Sequence, residues 1–360
     1  MTLLHSRLFR IGPVLLAATL AFSISPWLPS RAEGDSTPKK SDTFAAWKHS
    51  GAMSILTTRD GADLPASAVE EGFPLLVRLD KDWFDFSQAK AKGEDVRFSA
   101  DGKALAYQIE EWDATKGVAV IWVRIPMIKG NAHQELQMSW GKADATSESD
   151  GKSVFNESNG YAAVFHLEDA TKDETGALSA KDLGTEAVSG VIGQGRHFTT
   201  GKGIACGDSI ATFPNGSAPH STEFWFRAEK SGERMVCWGN GGPKMMVQMI
   251  LSKPPKMVMD CYGSGSSLTS PKPTPLNEWV HVIHTCKLGE SRMYVNGELV
   301  VVSTVAGNPL DFKSPVKMSM GGWGNYGFNG DLDEVRVSKV VRSADWVRLQ
   351  YENQKPRQTV

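Results

Sequence analysis

Three acidic residues near the end of the chain have the types and spacing that acid–base chemistry requires. Asp331, Asp333 and Glu334 lie in a run of alternating polar and apolar residues, which predicts a β-strand. Because side chains alternate between the faces of a strand, Asp331 and Asp333 share one face with Val335, and Glu334 points to the other. Two carboxyl groups on one side of a substrate can hydrolyse a glycosidic bond. The favoured alternative is that the two aspartates orient a turn or help bind calcium.

Two histidines and a cysteine on another predicted strand are the next candidates. His281 and His284 are three residues apart, so they lie on opposite faces of the strand and cannot chelate one ion together. His284 and Cys286 share a face, which is the arrangement of a cysteine nucleophile and its base. No neighbouring residue is placed to orient the histidine, and we therefore interpret this pair as structural.

Two further patterns are assigned no chemistry. The segment Gly322–Gly327 has the letters of a dinucleotide-binding motif, but that motif needs a helix after it, and here another strand follows. Glu110, Glu111 and Asp113 surround Trp112 at a strand end and are interpreted as an exposed, solvated edge. The chain has neither a G-x-S-x-G nucleophile elbow nor an H-E-x-x-H zinc helix. The sequence therefore predicts no catalytic residues, and the metal content stays open.

Aromatic and amide side chains in two loops are the best candidates for ligand binding. Trp323, Asn325 and Tyr326 lie in the glycine-rich segment, and Trp238 is followed closely by Asn240. Sugars present an apolar C–H face and a polar edge, so their sites combine a stacking ring with amides or carboxylates. We predict that these five residues bind a ligand. The alternative is that the rings close the hydrophobic core.

Short alternating runs separated by turn residues must position these side chains. Residues 43–141 show no helical periodicity and contain six such runs, which predicts a small β-sandwich. The six runs are Ala52–Thr57, Phe73–Leu79, Asp95–Ser99, Leu105–Glu110, Val118–Ile125 and Glu135–Trp140. Residues 142–153 are polar and predict a linker.

A second β-rich domain is predicted over residues 154–353, with a tail at 354–360. Within it, Asn296–Gly297 is the turn pair typical of a two-residue β-hairpin. Ser343 is a candidate helix N-cap, so a short helix as far as Tyr351 is predicted to pack back on the sandwich. The predicted fold class is all-β, with two consecutive β-sandwiches and a short C-terminal helix.

The first 32 residues have the pattern of a signal peptide. Arg7 and Arg10 precede the short apolar run Ile11–Ile24, and Ser30–Ala32 provides small residues at a cleavage position. We expect residues 1–32 to be removed and residues 33–42 to form a flexible leader. The mature protein is then exported, periplasmic or extracellular, without a membrane span. The alternative is an uncleaved anchor.

Charge and cysteine content restrict the partners further. The formal net charge is −2, and removal of three signal-peptide arginines leaves 36 basic and 41 acidic residues, or −5. This charge predicts no nucleic-acid partner and no polybasic lipid-binding patch. In an oxidising compartment the four cysteines could form two disulfides, and the alternative is buried thiols. They are Cys206, Cys237, Cys261 and Cys286.

Five motifs in one order resemble a laminin-G-like, concanavalin A-like jelly roll. They are Gly190–Phe198, Glu223–Phe226, Trp279–Val282, Tyr294–Gly297 and Phe328–Val337. The resemblance covers nearly all of residues 154–353 and implies that fold, with calcium as the cofactor that such domains can hold. Laminarinase-type glycoside hydrolases share the fold and carry three acids at alternate positions of one strand. Val335 stands at the third position here, which departs from that pattern.

The first domain resembles a bacterial domain of unknown function that often precedes such jelly rolls in envelope proteins. Phe73–Val77, Gly93–Phe98 and Val120–Pro126 carry this resemblance. Some relatives are fused to a TolQ/ExbB-type transport channel, whose helices this chain lacks. The sequence thus predicts an exported, non-enzymatic protein that binds a glycan or another envelope ligand. The alternatives are a structural module that binds envelope proteins, associated with such a transport system, and a divergent glycoside hydrolase.

Overall fold

The alternating runs form antiparallel β-strands in a computed structural model that describes residues 43–261, 267–304, 310–323 and 326–360. The predicted signal peptide (1–32), the predicted leader (33–42) and Asn325 lie outside the described residues. The side chains of Trp323 and Tyr326 also lie outside this description.

Two sheets build the first domain. Its strands are β1 (His49–Leu56), β2 (Val69–Asp80), β3 (Arg97–Ala100), β4 (Lys103–Leu105), β5 (Tyr107–Asp113), β6 (Val118–Lys129) and β7 (His133–Trp140). Their orders are β1-β7-β3-β4 and β2-β6-β5. Inward-facing residues of both sheets, among them Phe73, Trp122 and Leu136, form one buried core. The predicted small β-sandwich is confirmed.

Two larger sheets build the second domain. Its strands are β8 (Tyr161–Phe165), β9 (Lys181–Asp182), β10 (Glu186–Ser189), β11 (Gln194–Phe198), β12 (Ile204–Ile210), β13 (His220–Ala228), β14 (Glu233–Gly239), β15 (Met246–Leu251), β16 (Met257–Asp260), β17 (Leu268–Thr269), β18 (Val280–Lys287), β19 (Glu290–Val295), β20 (Glu298–Ser303), β21 (Val316–Met320), β22 (Gly322–Trp323), β23 (Tyr326–Gly327) and β24 (Gly330–Ser338). In the described residues, the first sheet has the order β10-β11-β24-β13-β18-β19-β20, with β8 also paired to β24. The second has the order β17-β16-β15-β14-β21-β12-β9. Both sheets contribute to one apolar core, so the all-β prediction of two sandwiches is confirmed.

Local signals place a hairpin and a helix where the sequence predicts them. Asn296 and Gly297 both have positive φ, +49° and +79°, and join β19 to β20. The Ser343 side chain accepts a hydrogen bond from the backbone N–H of Trp346 at 2.8 Å, which caps helix α2. Helix α2 (Ala344–Gln354) extends three residues beyond the predicted end.

Helix α2 packs against the first domain. The Trp346 ring meets the edge of Phe73 of β2, with ring centroids 4.8 Å apart. The Asn353 amide accepts from the backbone N–H of Leu76 and donates to its carbonyl, at 2.7 and 3.1 Å. This amide therefore satisfies the outer edge of β2 as a neighbouring strand would.

The two domains share a hydrophobic core. A short helix, α1 (Gly151–Val154), begins after Asp150, whose carboxylate caps it. Val154 and Phe155 then pack with Tyr161, Leu349 and the inward-facing residues of the first sandwich. The described residues form one compact unit as a result.

Candidate functional site

A β-bulge determines which acids of β24 lie together. Glu334 has φ of +51°, and the register between β24 and β13 shifts by one residue around it. Val335 is therefore turned into the jelly-roll core, and Asp333 and Glu334 both lie outside that core. The predicted alternation, with Val335 beside Asp333 and Glu334 on the opposite face, is wrong.

The acids of β24 are held by neighbouring groups. Asp331 contacts Nε of Arg227 and Nδ1 of His197, each at 2.7 Å. Asp333 accepts a hydrogen bond from the backbone N–H of Ile192 at 3.0 Å. Asp333 and Glu334 are completely buried, so neither can contact a polysaccharide. Orientation of the surrounding chain is the role that these contacts support.

Glu334 belongs to a buried polar cluster between the two domains. Its carboxylate contacts Nδ1 of His166 at 2.7 Å and accepts a hydrogen bond from Arg336. The His166 ring stacks on Trp122 of the first domain, whose Nε1 donates to Glu110 at 2.6 Å. The Glu110 side chain is only 2% exposed, so the prediction of a solvated edge is wrong for this residue. The second domain covers it.

Burial and close ion pairs set the charges in this cluster. Burial raises the pKa of Glu110 to about 8. Burial alone would lower the pKa of His166, but the carboxylates of Glu334 and Glu110 outweigh it and raise that pKa. Burial likewise opposes ionisation of Glu334, yet His166 and Arg336 lower its pKa. Glu110, His166 and Glu334 are close enough to hold a metal ion, but Oε2 of Glu110 already accepts from Trp122 and Nδ1 of His166 is already paired with Glu334.

Replacing Glu110 with glutamine should weaken the pH dependence of stability. Glu110 binds a proton more tightly in the folded than in the unfolded chain, so its contribution to stability falls as pH rises from about 4.5 to about 8. The free energy of unfolding of Glu110→Gln should therefore fall less than that of the wild type between pH 5 and pH 9 in urea titrations. Glu111→Gln is the matched control and should follow the wild type. If the free energy of unfolding varied with pH in the same way for the wild type and for Glu110→Gln, the raised pKa of Glu110 would be contradicted.

The histidines and cysteines of β18 take the faces that alternation predicts. His281 lies 3.1 Å from Glu223, while His284 faces the opposite side together with Cys286. All four cysteines are among the described residues, and each is a buried thiol. The predicted disulfides do not form, because no two of the four sulfurs lie at bonding distance.

Trp238 and Asn240 both make structural contacts, Trp238 inside the core and Asn240 in a partly exposed loop. The Trp238 ring is completely buried, stacks on Phe312 with centroids 4.5 Å apart and donates to Thr222 Oγ1 at 2.9 Å. The prediction that Trp238 offers a stacking face is therefore wrong, and the alternative of a core ring is correct. The Asn240 amide joins two loops, donating to the Pro315 carbonyl and accepting from Lys313 N–H.

A groove of about 640 Å³ lies beside the glycine-rich segment. Its lining consists of Leu183, Thr200, Gly201, Lys202, Gly203, Ile204, Ala205, Asp208, Lys317, Met318, Ser319, Met320, Gly321, Gly322 and Gly327. Strands β22 and β23 form a hairpin at one side of it, which confirms the interpretation of this segment as a loop between strands. The backbones of Trp323 and Tyr326 pair in that hairpin, so these two predicted residues are attached at the rim.

The groove opens on the outer face of the second sheet. Ala205 and Ser319 are directly opposite each other and alternate with residues of the core. The same transverse row continues through Cys237, Gln248 and Asp260. Gln248 donates to Asp260 at 3.2 Å, and of this row only Ala205 and Ser319 line the groove itself. Nothing in the linear sequence marked these residues, because they come together only through strand pairing.

Charged side chains stand at the open side of the groove. Lys317 Nζ lies 3.7 Å from Asp208 Oδ1, and the two side chains are 56% and 88% exposed. A surface pair of this kind contributes little to folding. Its groups therefore remain available to a polar ligand, and a volume of this size suits a small molecule or part of a chain.

Comparison with known families agrees with this architecture. Residues 198–348 match the family model of the concanavalin A-like lectin/glucanases superfamily. Residues 92–177 match a domain of unknown function (DUF2341). The resemblances predicted from sequence are thereby confirmed for both parts of the chain, and the second domain is a concanavalin A-like jelly roll. This superfamily supports a binding role in general terms. No curated protein matches the chain in sequence.

Solved structures show partial similarity. One is domain 4 of AbnA, a GH43 extracellular arabinanase from Geobacillus stearothermophilus, in complex with arabinotriose. The two sequences are 16% identical, the match covers 52% of this chain and 97% of that chain, and the TM-score is 0.44. Another is the binding domain of Paraclostridial Mosquitocidal Protein 1, with 15% identity, 54% and 52% covered, and a TM-score of 0.45. The match therefore spans about half of the latter. No helix among the described residues has the length and apolar composition that a bilayer span requires.

Proposed function

We propose that the protein is an exported, non-enzymatic glycan-binding protein that uses the groove on the outer face of its jelly roll. The observation that carries this proposal is the groove itself, which is lined by polar side chains, among them Thr200, Asp208 and Ser319, and has the β22–β23 hairpin at one side. Hydroxyl, ammonium and carboxylate groups of this lining suit the hydroxyl edge of a sugar, and we propose that Trp323 and Tyr326, whose backbones pair in the hairpin, stack on its apolar face. The ligand enters from solvent, since Lys317 and Asp208 are exposed at the opening.

The N-terminal pattern supports export as part of this proposal. Arg7, Arg10 and the apolar run Ile11–Ile24 precede the small residues Ser30 and Ala32. N-terminal sequencing of the protein from the cell exterior or periplasm should begin after Ala32.

A glycan array probed with the purified protein tests the binding role. We expect selective signal for a restricted set of oligosaccharides, measured with calcium and again with a chelator. Loss of signal in the chelator would assign a calcium ion to binding. A blank array under both conditions would contradict the glycan proposal and favour a protein ligand of the cell envelope.

Two substitutions locate the site. Trp323→Ala should weaken the selected glycan about 30-fold, because truncating an aromatic anchor costs about 2 kcal/mol. Ala205→Trp should abolish binding by filling the groove, since Ala205 lines it from the outer face. The control is Trp83→Ala, which removes a ring that is 58% exposed on the first domain. Titration calorimetry should give wild-type affinity for the control, and equal affinities for all three variants would place the site elsewhere.

A further inference from the structure

Two histidines and a cysteine meet inside the jelly roll, in what we term the His–Cys cluster (His220, His284 and Cys286). His220 of β13 lies directly opposite Cys286 of β18, and His284 shares the face of Cys286 two residues earlier. One potential ligand atom of each residue lies within 4.8 Å of the others. The histidines are 1% and 0% exposed, and Cys286 is 9% exposed. The cluster is therefore internal, with Cys286 nearest to solvent.

Each histidine of the cluster has one ring nitrogen that is hydrogen-bonded and one that is not. Nδ1 of His220 lies 3.1 Å from the Ala218 carbonyl, which can only accept, so Nδ1 carries the proton and Nε2 a lone pair. Nε2 of His284 lies 2.9 Å from Ser291 Oγ. Among the described residues, Nε2 of His220 and Nδ1 of His284 have no hydrogen-bond partner. A buried unsatisfied group costs about 1–3 kcal/mol, so core packing alone does not account for them.

This arrangement is the one in which histidines bind metals. A ligating imidazole presents a lone pair from one nitrogen while the other donates its proton to a carbonyl or another acceptor. Burial lowers the pKa of His220 to about 4 and also lowers that of His284, so both rings are neutral and able to ligate. Trp238 and Phe312 pack on His220 with centroids 5.1 and 5.4 Å away and limit access by water.

We propose that the His–Cys cluster binds one copper(I) ion through the two imidazoles and the Cys286 sulfur. Thiolate and imidazole are soft enough for copper(I) and for zinc, and net charge separates the two ions. Copper(I) with one thiolate and two neutral rings is uncharged, as an apolar core requires, whereas zinc would leave a buried positive charge. Structural zinc also requires four ligands.

Formation of the complex exchanges a proton for the metal ion. Burial raises the pKa of Cys286 to about 11, so the free site holds a thiol. Copper(I) forms the sulfur–metal bond as the S–H bond breaks, and the proton leaves to solvent without any change of oxidation state. Met293 lies opposite His284 on β19 and is completely buried, which puts a thioether beside the site as a weak additional ligand.

Anaerobic titration of the reduced, metal-free protein with copper(I) buffered by bicinchoninate tests this proposal. We expect one equivalent to bind, one proton to be released at pH 7, and the unfolding temperature to rise. X-ray absorption of the complex should show one sulfur and two nitrogen neighbours at about 2.0–2.3 Å. Absence of specific copper(I) binding, or a shell of oxygen ligands, would overturn the proposal.

Two alanine variants test whether Cys286 is a ligand of the copper(I) ion. Cys286→Ala removes the anionic donor and should bind copper(I) at least about 100-fold more weakly than the wild type. Cys237→Ala removes a completely buried thiol that lies outside the cluster, and should bind copper(I) normally. Circular dichroism establishes that both variants are folded. An equal loss of copper(I) affinity in both variants would overturn the assignment of Cys286 as a ligand. Preferential binding of zinc at the same residues would overturn the choice of copper.

Discussion

Replacing Arg336 with alanine is expected to lower the free energy of unfolding by about 3–5 kcal/mol, the range measured when one partner of a buried ion pair is removed. The Arg336 side chain is 1% exposed, bonds the carboxylate of Glu334 and lies 3.9 Å from that of Glu223. Its guanidinium also covers the ring of Trp122, 4.5 Å from the centroid. The variant leaves two buried carboxylates without this cation at the junction of the domains.

Urea unfolding at pH 7, followed by tryptophan fluorescence, measures this effect. The control is Arg348→Ala, because the Arg348 side chain is 32% exposed and its ion pairs with Glu298 and Glu352 should contribute less than about 1 kcal/mol. A loss below about 1 kcal/mol for Arg336→Ala would show that the buried cluster does not hold the domains together.

Replacing Trp238 with alanine is also expected to have a large effect, lowering the free energy of unfolding by about 3–5 kcal/mol. The substitution removes the ring stacked on Phe312 and leaves the Thr222 hydroxyl without its donor. A cavity then opens in the middle of the jelly-roll core. The measurement is the midpoint and slope of the urea transition, made on the same preparation that is used for glycan binding.

Trp238→Phe and Trp83→Ala are the control variants for this prediction. Phenylalanine keeps most of the packing, so its loss should be clearly smaller than that of alanine. Trp83 is exposed, and its removal should change stability by less than about 0.5 kcal/mol. If Trp238→Ala had the stability of the wild type but no longer bound glycan, Trp238 would be a ligand-binding residue and this prediction would be contradicted.

Features that depend on a few consecutive residues could be predicted from the sequence. The Asn296–Gly297 hairpin follows from two residues that tolerate positive φ, and helix α2 follows from the Ser343 cap. The shared face of His284 and Cys286 follows from alternation along an undistorted strand. The motif order also predicted the jelly roll over residues 154–353, of which residues 198–348 match the superfamily model.

Features that depend on contacts between distant segments could not be predicted from the sequence. The bulge at Glu334 occurs where β24 changes neighbours from β11 to β8, and alternation gives no sign of that change. Burial of Glu110 requires the second domain to cover it, and His220 joins the His–Cys cluster from another strand. The groove depends likewise on pairing between β12 and β21, which are more than a hundred residues apart.

The position of helix α2 has a consequence for synthesis of the chain. The ribosome makes the first sandwich before any of the jelly roll, but Trp346, Leu349 and Asn353, which complete its core and cover β2, come last. The nascent first domain therefore exposes an apolar patch and an open strand edge for some 200 residues of elongation. Translation to the last turn of α2 is thus the step that completes the first domain, and truncated chains should be substrates for chaperones and proteases.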